Sequence, residues 1–177
     1  MANPETFPVL ESTRLRLRQI LPTDAPQLFD LYDEPEVAKY LDIEPLSSLE
    51  EAQELVEAYR QGFVQGHNLY WAITQQSSEE LIGTVGFFFL PDGESAELDF
   101  ELLPYHWNQG IISEALALAL EFARESLGLT HIEAYVVKEN PASIRVLEKL
   151  GFSLEARLEG EFDTEAGRLD ALMYVKR

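Results

Sequence analysis

The sequence predicts an α/β protein built on a mixed central sheet of about seven strands with helices on both faces. Three observations carry that expectation. Residues 69–74, 81–90 and 96–103 are apolar segments separated only by residues 77–80 and by the Pro91-Asp92-Gly93 turn. Such short connections allow no crossover, so these segments read as an antiparallel meander. A long apolar-periodic helix over residues 110–126 then leads into an apolar strand at residues 131–137, and that connection is long enough to make the strands it joins parallel. Lastly, residues 152–162 and 169–175 form a closing hairpin.

The remaining elements follow in chain order. Residues 14–20, RLRLRQI, alternate strictly and read as a strand with Leu15 and Leu17 inward. Thr23 or Asp24 offers an N-cap for a short helix through Tyr32, and Pro35 starts another turn. Ser48 and Glu51 have capping-box spacing ahead of a helix that carries Leu49, Ala52, Val56, Tyr59 and Phe63 on one face. In the long helix, Ile112, Ala115, Leu116, Ala119, Phe122 and Ala123 recur at helical spacing. Asn140 caps a further helix that ends at Gly151.

Bulk composition narrows the function classes. The 177 residues read as one domain, 1–177, able to bury about two-thirds of the unfolded surface. The chain has no run of eighteen apolar residues, and MANPETFPVL lacks the basic and apolar regions of a secretory signal. A cytoplasmic protein, neither spanning nor sitting on a membrane, is the expectation. With no cysteine there is no disulfide, no Cys-ligated zinc and no Cys nucleophile. The three His residues show no zinc-ligand spacing, so no metal is expected. A net charge of −19 argues against non-specific nucleic-acid binding and favours cationic partners, or else serves solubility alone.

Two stretches carry chemistry. In residues 107–115, WNQGIISEA, a glycine joins a strand to the long helix. The N–H groups from Asn108, Gln109, Gly110, Ile111, Ile112 and Ser113, with the positive end of the helix dipole, make a site for a phosphate or pyrophosphate. Read without further context, the same residues are an ordinary helix start, and Ile112, placed on the apolar stripe, is expected to point into the core. The second stretch is Glu97, Asp99 and Glu101 at period two, which puts three carboxylates on one strand face and Leu98, Phe100 and Leu102 on the other. That face is either solvated or lines a site where an amine loses a proton before attack. Glu97 is the first candidate base and Asp99 the second.

Residues 106–115, HWNQGIISEA, together with residues 131–152, HIEAYVVKENPASIRVLEKLGF, resemble the GNAT superfamily of acyl-CoA-dependent N-acetyltransferases. The N-terminal ETFPVLESTRLRLRQILPTDAPQLFDLY is similar to the RimJ/RimL-like branch, the ribosomal-protein N-terminal acetyltransferases. The resemblance implies a GNAT fold and acetyl-CoA as cosubstrate. It implies that the 108–113 loop holds the CoA pyrophosphate, and that Asn140 and Ser143 contact the pantetheine arm. It also implies that backbone groups at Leu102 and Leu103 pair with the pantetheine as an added strand. Glu97 matches a family glutamate, whereas Asp99 stands where glycine is usual and Asn108 replaces the first loop glycine. Leu147 takes the place of a tyrosine that serves many members as acid, leaving Ser143, a water or no group for that role. The implied reaction moves an acetyl group to a primary amine, first of all the N-terminal amine of a basic protein. A small amine such as a polyamine or an aminoglycoside is the alternative acceptor, and a non-catalytic acyl-CoA-binding module the rival of another class. The resemblance leaves a homodimer open.

Overall fold

The computed structural model describes residues 4, 6–41, 46–164 and 167–177. Its sheet has eight strands: β1 (Leu10–Glu11), β2 (Leu15–Gln19), β3 (Asn68–Gln75), β4 (Gly83–Phe89), β5 (Ser95–Leu102), β6 (His131–Val137), β7 (Ser153–Thr164) and β8 (Gly167–Lys176). The order across the sheet is β1-β2-β3-β4-β5-β6-β8-β7. All neighbours are antiparallel except β5 and β6, the one pair that the helical crossover sets parallel. The expected seven strands are all present. The eighth, β1, is a two-residue strand with too few positions to display a period, held by Leu10 opposite Leu17 and Glu11 opposite Arg16. The tip of the closing hairpin lies outside the described residues.

The helices are α1 (Ala25–Asp33), α2 (Pro35–Ala38), α3 (Leu49–Gln65), α4 (Ile111–Glu125) and α5 (Pro141–Lys149). Ser48 caps α3 by accepting from the Glu51 N–H at 3.3 Å. The reciprocal half of the box goes to a neighbour instead: the Glu51 carboxylate accepts from the N–H and hydroxyl of Ser47, each at 2.7 Å. Leu49, expected on the buried face, is exposed, because the first helical position precedes the stripe formed by Ala52, Val56 and Phe63.

Alternation along β3 divides the core. Leu69, Trp71 and Ile73 pack on one side of the sheet with Leu116 and Ala119 of α4, while Tyr70 and Ala72 pack on the other with Leu28 and Leu31 of α1 and Val56 of α3. No described helix is long and apolar enough to cross a membrane.

Candidate active site

The strands β5 and β6 are paired at only three positions: Ser95 with His131, Ala96 with Ile132 and Glu97 with Glu133. Beyond Glu97 they diverge. β5 continues against β4 to Leu102, and β6 continues against β8 to Val137. The wedge between them opens into a cleft of about 1110 Å³, walled further by α1, α2, the start of α4 and α5. Register decides which backbone groups face it. Leu90 donates to the Ser95 carbonyl at 2.9 Å and Leu103 donates to the Ile82 carbonyl at 3.0 Å. Odd residues of β5 therefore bond to β4, and the N–H and C=O groups of Leu98, Phe100 and Leu102 point into the gap. The Leu102 carbonyl accepts from the Trp107 indole at 2.6 Å, which leaves its N–H toward the cleft. Of the pair expected to meet an extended ligand, Leu102 faces the gap and Leu103 turns away. Phe100 shares the direction of Leu102, a consequence of pairing parity that residue type does not encode.

After a 3-10 turn at Pro104–His106, the chain reaches α4 through two left-handed residues, Asn108 (φ 59°) and Gly110 (φ 76°). Gly110 is the N-cap and has no side chain to bond the first-turn N–H groups, so those of Ile111, Ile112 and Ser113 lack an intrahelical partner. Asn108, Gly110, Ile111, Ile112 and Ser113 line the cleft. Gln109 does not: its side chain donates to the Tyr105 carbonyl at 2.9 Å. Ile111, rather than Ile112, leads the buried stripe of α4. Ile112 is half-buried: it packs against the edge of the core and also lines the cleft.

The start of α4 is anchored from the far side. Glu114 accepts from the Ser12 hydroxyl at 2.6 Å and from the Arg14 guanidinium, whose Nε lies at 2.8 Å, and Arg14 also donates to the Gln109 carbonyl at 3.2 Å. These bonds hold the Glu114 carboxyl below its ordinary value, with Arg14 the larger cause. Sequence reasoning passed over this anchor because its partners stand a hundred residues apart and no local pattern joins them.

At the other wall, the Asn140 carbonyl oxygen accepts from the Ser143 N–H at 3.1 Å, the N-cap of α5. Both side chains line the cleft, as does Tyr135 of β6. Leu147 is fully buried and apolar.

The carboxylates lie in rows across three strands. Tyr70 of β3, Gly86 of β4 and Asp99 of β5 are register partners, and the Tyr70 hydroxyl donates to Asp99 at 2.5 Å. Its ring lies over Gly86 so closely that an added Cβ would come within 2.4 Å of it, which explains a glycine in mid-strand. In the adjacent row Thr84 faces Glu101 and donates to it at 2.5 Å. Tyr32 reaches the same carboxylate at 3.4 Å and its hydroxyl meets that of Tyr59 at 3.0 Å. Tyr59 in turn stacks on Tyr70 with centroids 4.2 Å apart. Burial pushes the Glu101 carboxyl up to about 8, with the neighbouring Asp99 charge a further cause. Burial also raises Asp99, against the opposing bond from Tyr70. Glu97 lines the same cleft where β5 and β6 still pair. The face that could have been solvated thus forms an acidic recess walled by aromatic rings. Glu101, named from sequence as neither the first nor the second candidate base, is the carboxyl pushed up to about 8. Among the described residues no His, Cys, Asp and Glu side chains gather as a metal-ligand set.

Both the sequence and the fold resemble those of known proteins. Residues 14–153 match the acetyltransferase (GNAT) domain family. The chain is 36% identical over 153 residues to the uncharacterized N-acetyltransferase YoaA of Bacillus subtilis (strain 168), covering 86% of each. The spermidine N(1)-acetyltransferase of Escherichia coli (strain K12) is 34% identical over 67 residues, 38% of this chain and 36% of that protein. The fold superposes with a TM-score of 0.86 on RimL, a ribosomal L7/L12 alpha-N-protein acetyltransferase in complex with coenzyme A, at 24% identity and covering 96% and 97% of the two chains.

Proposed function

Because the chain belongs to the GNAT acetyltransferase family, we propose that it moves the acetyl group of acetyl-CoA to the N-terminal amine of a basic, ribosomal-type protein. The single observation that carries this reading is the wedge between β5 and β6, with bare helix N–H groups at one end and a half-buried carboxylate pair at the other. RimL, the fold neighbour, supplies the protein-amine acceptor as precedent.

Acetyl-CoA, when bound, supplies an activated thioester. The N–H groups of Ile111, Ile112 and Ser113 offset pyrophosphate charge with the α4 dipole behind them. The gap-facing N–H groups of Leu98, Phe100 and Leu102 meet an extended pantetheine as a neighbouring strand would, and one of them polarises the thioester carbonyl. An acceptor arrives as an ammonium and attacks only as a free amine, so a proton acceptor must lie on its side of the cleft. Asp99 and Glu101 stand there, and a carboxyl held near 8 is matched to a proton transfer at neutral pH. Ser143, on the opposite wall, is the hydroxyl placed to carry a proton to the departing thiolate, a task Leu147 cannot do.

A polyamine is the second acceptor reading, favoured by the partial likeness to spermidine N(1)-acetyltransferase and by the same acidic recess. The test follows thiol release from acetyl-CoA with lysine- or arginine-rich N-terminal peptides, acidic peptides and polyamines, each across a salt series. Basic peptides are expected to react fastest, with kcat/KM falling as the Debye length shrinks to about 8 Å at physiological salt. Faster reaction of polyamines moves the acceptor to that class. Absence of thiol release with every amine, while acetyl-CoA still binds, leaves an acyl-CoA-binding module.

A further inference from the structure

One row of the sheet has no part in the reaction described above. Asn68 of β3, Phe88 of β4 and Glu97 of β5 are register partners, next along from the row of Tyr70, Gly86 and Asp99. Side chains directly opposite on one sheet face have Cβ atoms about 5 Å apart, so the Phe88 ring and the Glu97 carboxylate are neighbours. Both line the cleft. Phe88 is 40% exposed. A lone apolar residue at a surface needs no explanation, but this one is not alone. Its ring meets the edge of Tyr70 with centroids 5.1 Å apart, and Tyr70 stacks on Tyr59 at 4.2 Å. The three rings run beside the row of Glu101, Asp99 and Glu97, and all six residues line the cleft. Tyr70 is buried within it, whereas Phe88 stands open at its mouth. Charge at this end is one-sided: Glu36, Glu97, Asp99 and Glu101 line it, and its cation, Lys39, is bound to Glu36 at 2.7 Å.

We propose that Phe88 and Glu97 form a subsite for a lysine or arginine side chain at the second or third position of the acceptor, beyond the reacting N-terminal amine. This rests on the protein-amine reading above and names where the basic character of that acceptor is recognised. Along β5, Glu97 lies two residues from Asp99, about 7 Å, and four from Glu101, about 13 Å. One ammonium cannot serve both ends of that row. An extended chain of two to three residues spans about 7–11 Å and brings a second cation to Glu97. A long basic side chain lays its methylenes on apolar surface and keeps its charge at the water boundary. The Phe88 ring receives the stem and attracts the cation, while the Glu97 carboxylate pairs with its head. Neither group suffices alone. A carboxylate accepts any cation and a ring accepts any apolar side chain, but the two together select a long stem that ends in a positive charge.

The experiment compares N-terminal peptides that differ only at position two or three, where lysine, norleucine or alanine stands. Each is ranked by kcat/KM from thiol release with acetyl-CoA and the intact protein. Norleucine keeps a lysine-like stem without the charge, and ratios between peptides cancel any loss of turnover common to all of them. At one of the two positions, wild type is expected to favour lysine over norleucine about five-fold, and norleucine over alanine by a smaller factor. The first preference should shrink with added salt. Glu97→Gln should bring lysine level with norleucine and keep the preference for norleucine over alanine. Phe88→Ala should remove that second preference. A wild type that treats the three peptides alike at both positions overturns the proposal, as do preferences that survive in both variants. A loss in Phe88→Ala equal for every peptide makes the ring a packing residue and likewise overturns it. No thiol release with any N-terminal peptide removes the protein-amine reading itself, an outcome distinct from uniform ratios.

Discussion

Glu101 pays for its surroundings in ionisation. Tyr32 and Thr84 stand where water would solvate its charge, and Asp99 adds a like charge beside it, so burial pushes its carboxyl up to about 8. If Glu101 takes the acceptor proton, turnover of wild type should rise with pH through about 8. Glu101→Gln should lower kcat on the order of a hundred-fold and abolish that rise, with acetyl-CoA affinity retained. Should Glu97→Gln lose turnover while Glu101→Gln keeps it, the role belongs to Glu97. The same group sets a stability trend. Its folded pKa lies above the unfolded carboxylate value, so between about 4.5 and 8 the native state holds a proton that the unfolded chain has released. Stability contributed by that proton is complete below the lower value and is lost as pH rises through the upper one. Chemical denaturation across this range should show a decline that Glu101→Gln flattens. Period-two spacing placed Glu97, Asp99 and Glu101 on one face from sequence alone. Which of them is walled in depends on Tyr32 and Tyr59, tens of residues earlier, and on tertiary packing that no local pattern expresses.

At the scale of elements, α4 and the turn before it carry the proposed phosphate site. Gly110 sits at φ 76°, and a Cβ there would meet only the Arg14 guanidinium at 3.7 Å, so backbone conformation rather than crowding by the protein constrains the position. Asn tolerates the left-handed region, as Asn108 does at φ 59°, whereas a β-branched residue is strained there by roughly 1–2 kcal/mol. Gly110→Val should therefore lower both the unfolding temperature and CoA affinity. Gly110→Asn should keep the unfolding temperature and still weaken CoA, because any Cβ intrudes where backbone and pyrophosphate meet. Unchanged affinity in both variants would remove the pyrophosphate from this helix end. The start of α4 was legible within one residue, through glycine and an apolar stripe. The stripe through Ala115, Leu116, Ala119 and Ala123 was legible too; its first member was not, because Ile111 and Ile112 are both apolar and only the helix start decides which is the more buried.

Across the whole molecule, seven strands, the meander, the parallel step and the closing hairpin were readable from patterning and connection lengths, whereas the insertion of β8 between β6 and β7 was not. The point at which β5 and β6 part was not readable, since Leu98–Leu102 looks like any central strand while lacking a neighbour on one side. That missing neighbour has a further consequence. β1 to β5 form one half-sheet and β6, β8 and β7 another, and their ladders touch at three residue pairs. Such a joint is narrow, and the open flank of β5 is an incomplete ladder whose amides have no strand partner on that side. A pantetheine arm laid along it would act as a splint, completing the hydrogen bonding and fixing the angle between the halves. Hydrogen exchange should then slow at Leu98, Phe100 and Leu102 when CoA binds, while Leu103, already bonded to Ile82, shows little change. Equal protection with and without CoA would mean that the two halves are locked by their packing alone, and that the ligand merely occupies the wedge rather than bracing it.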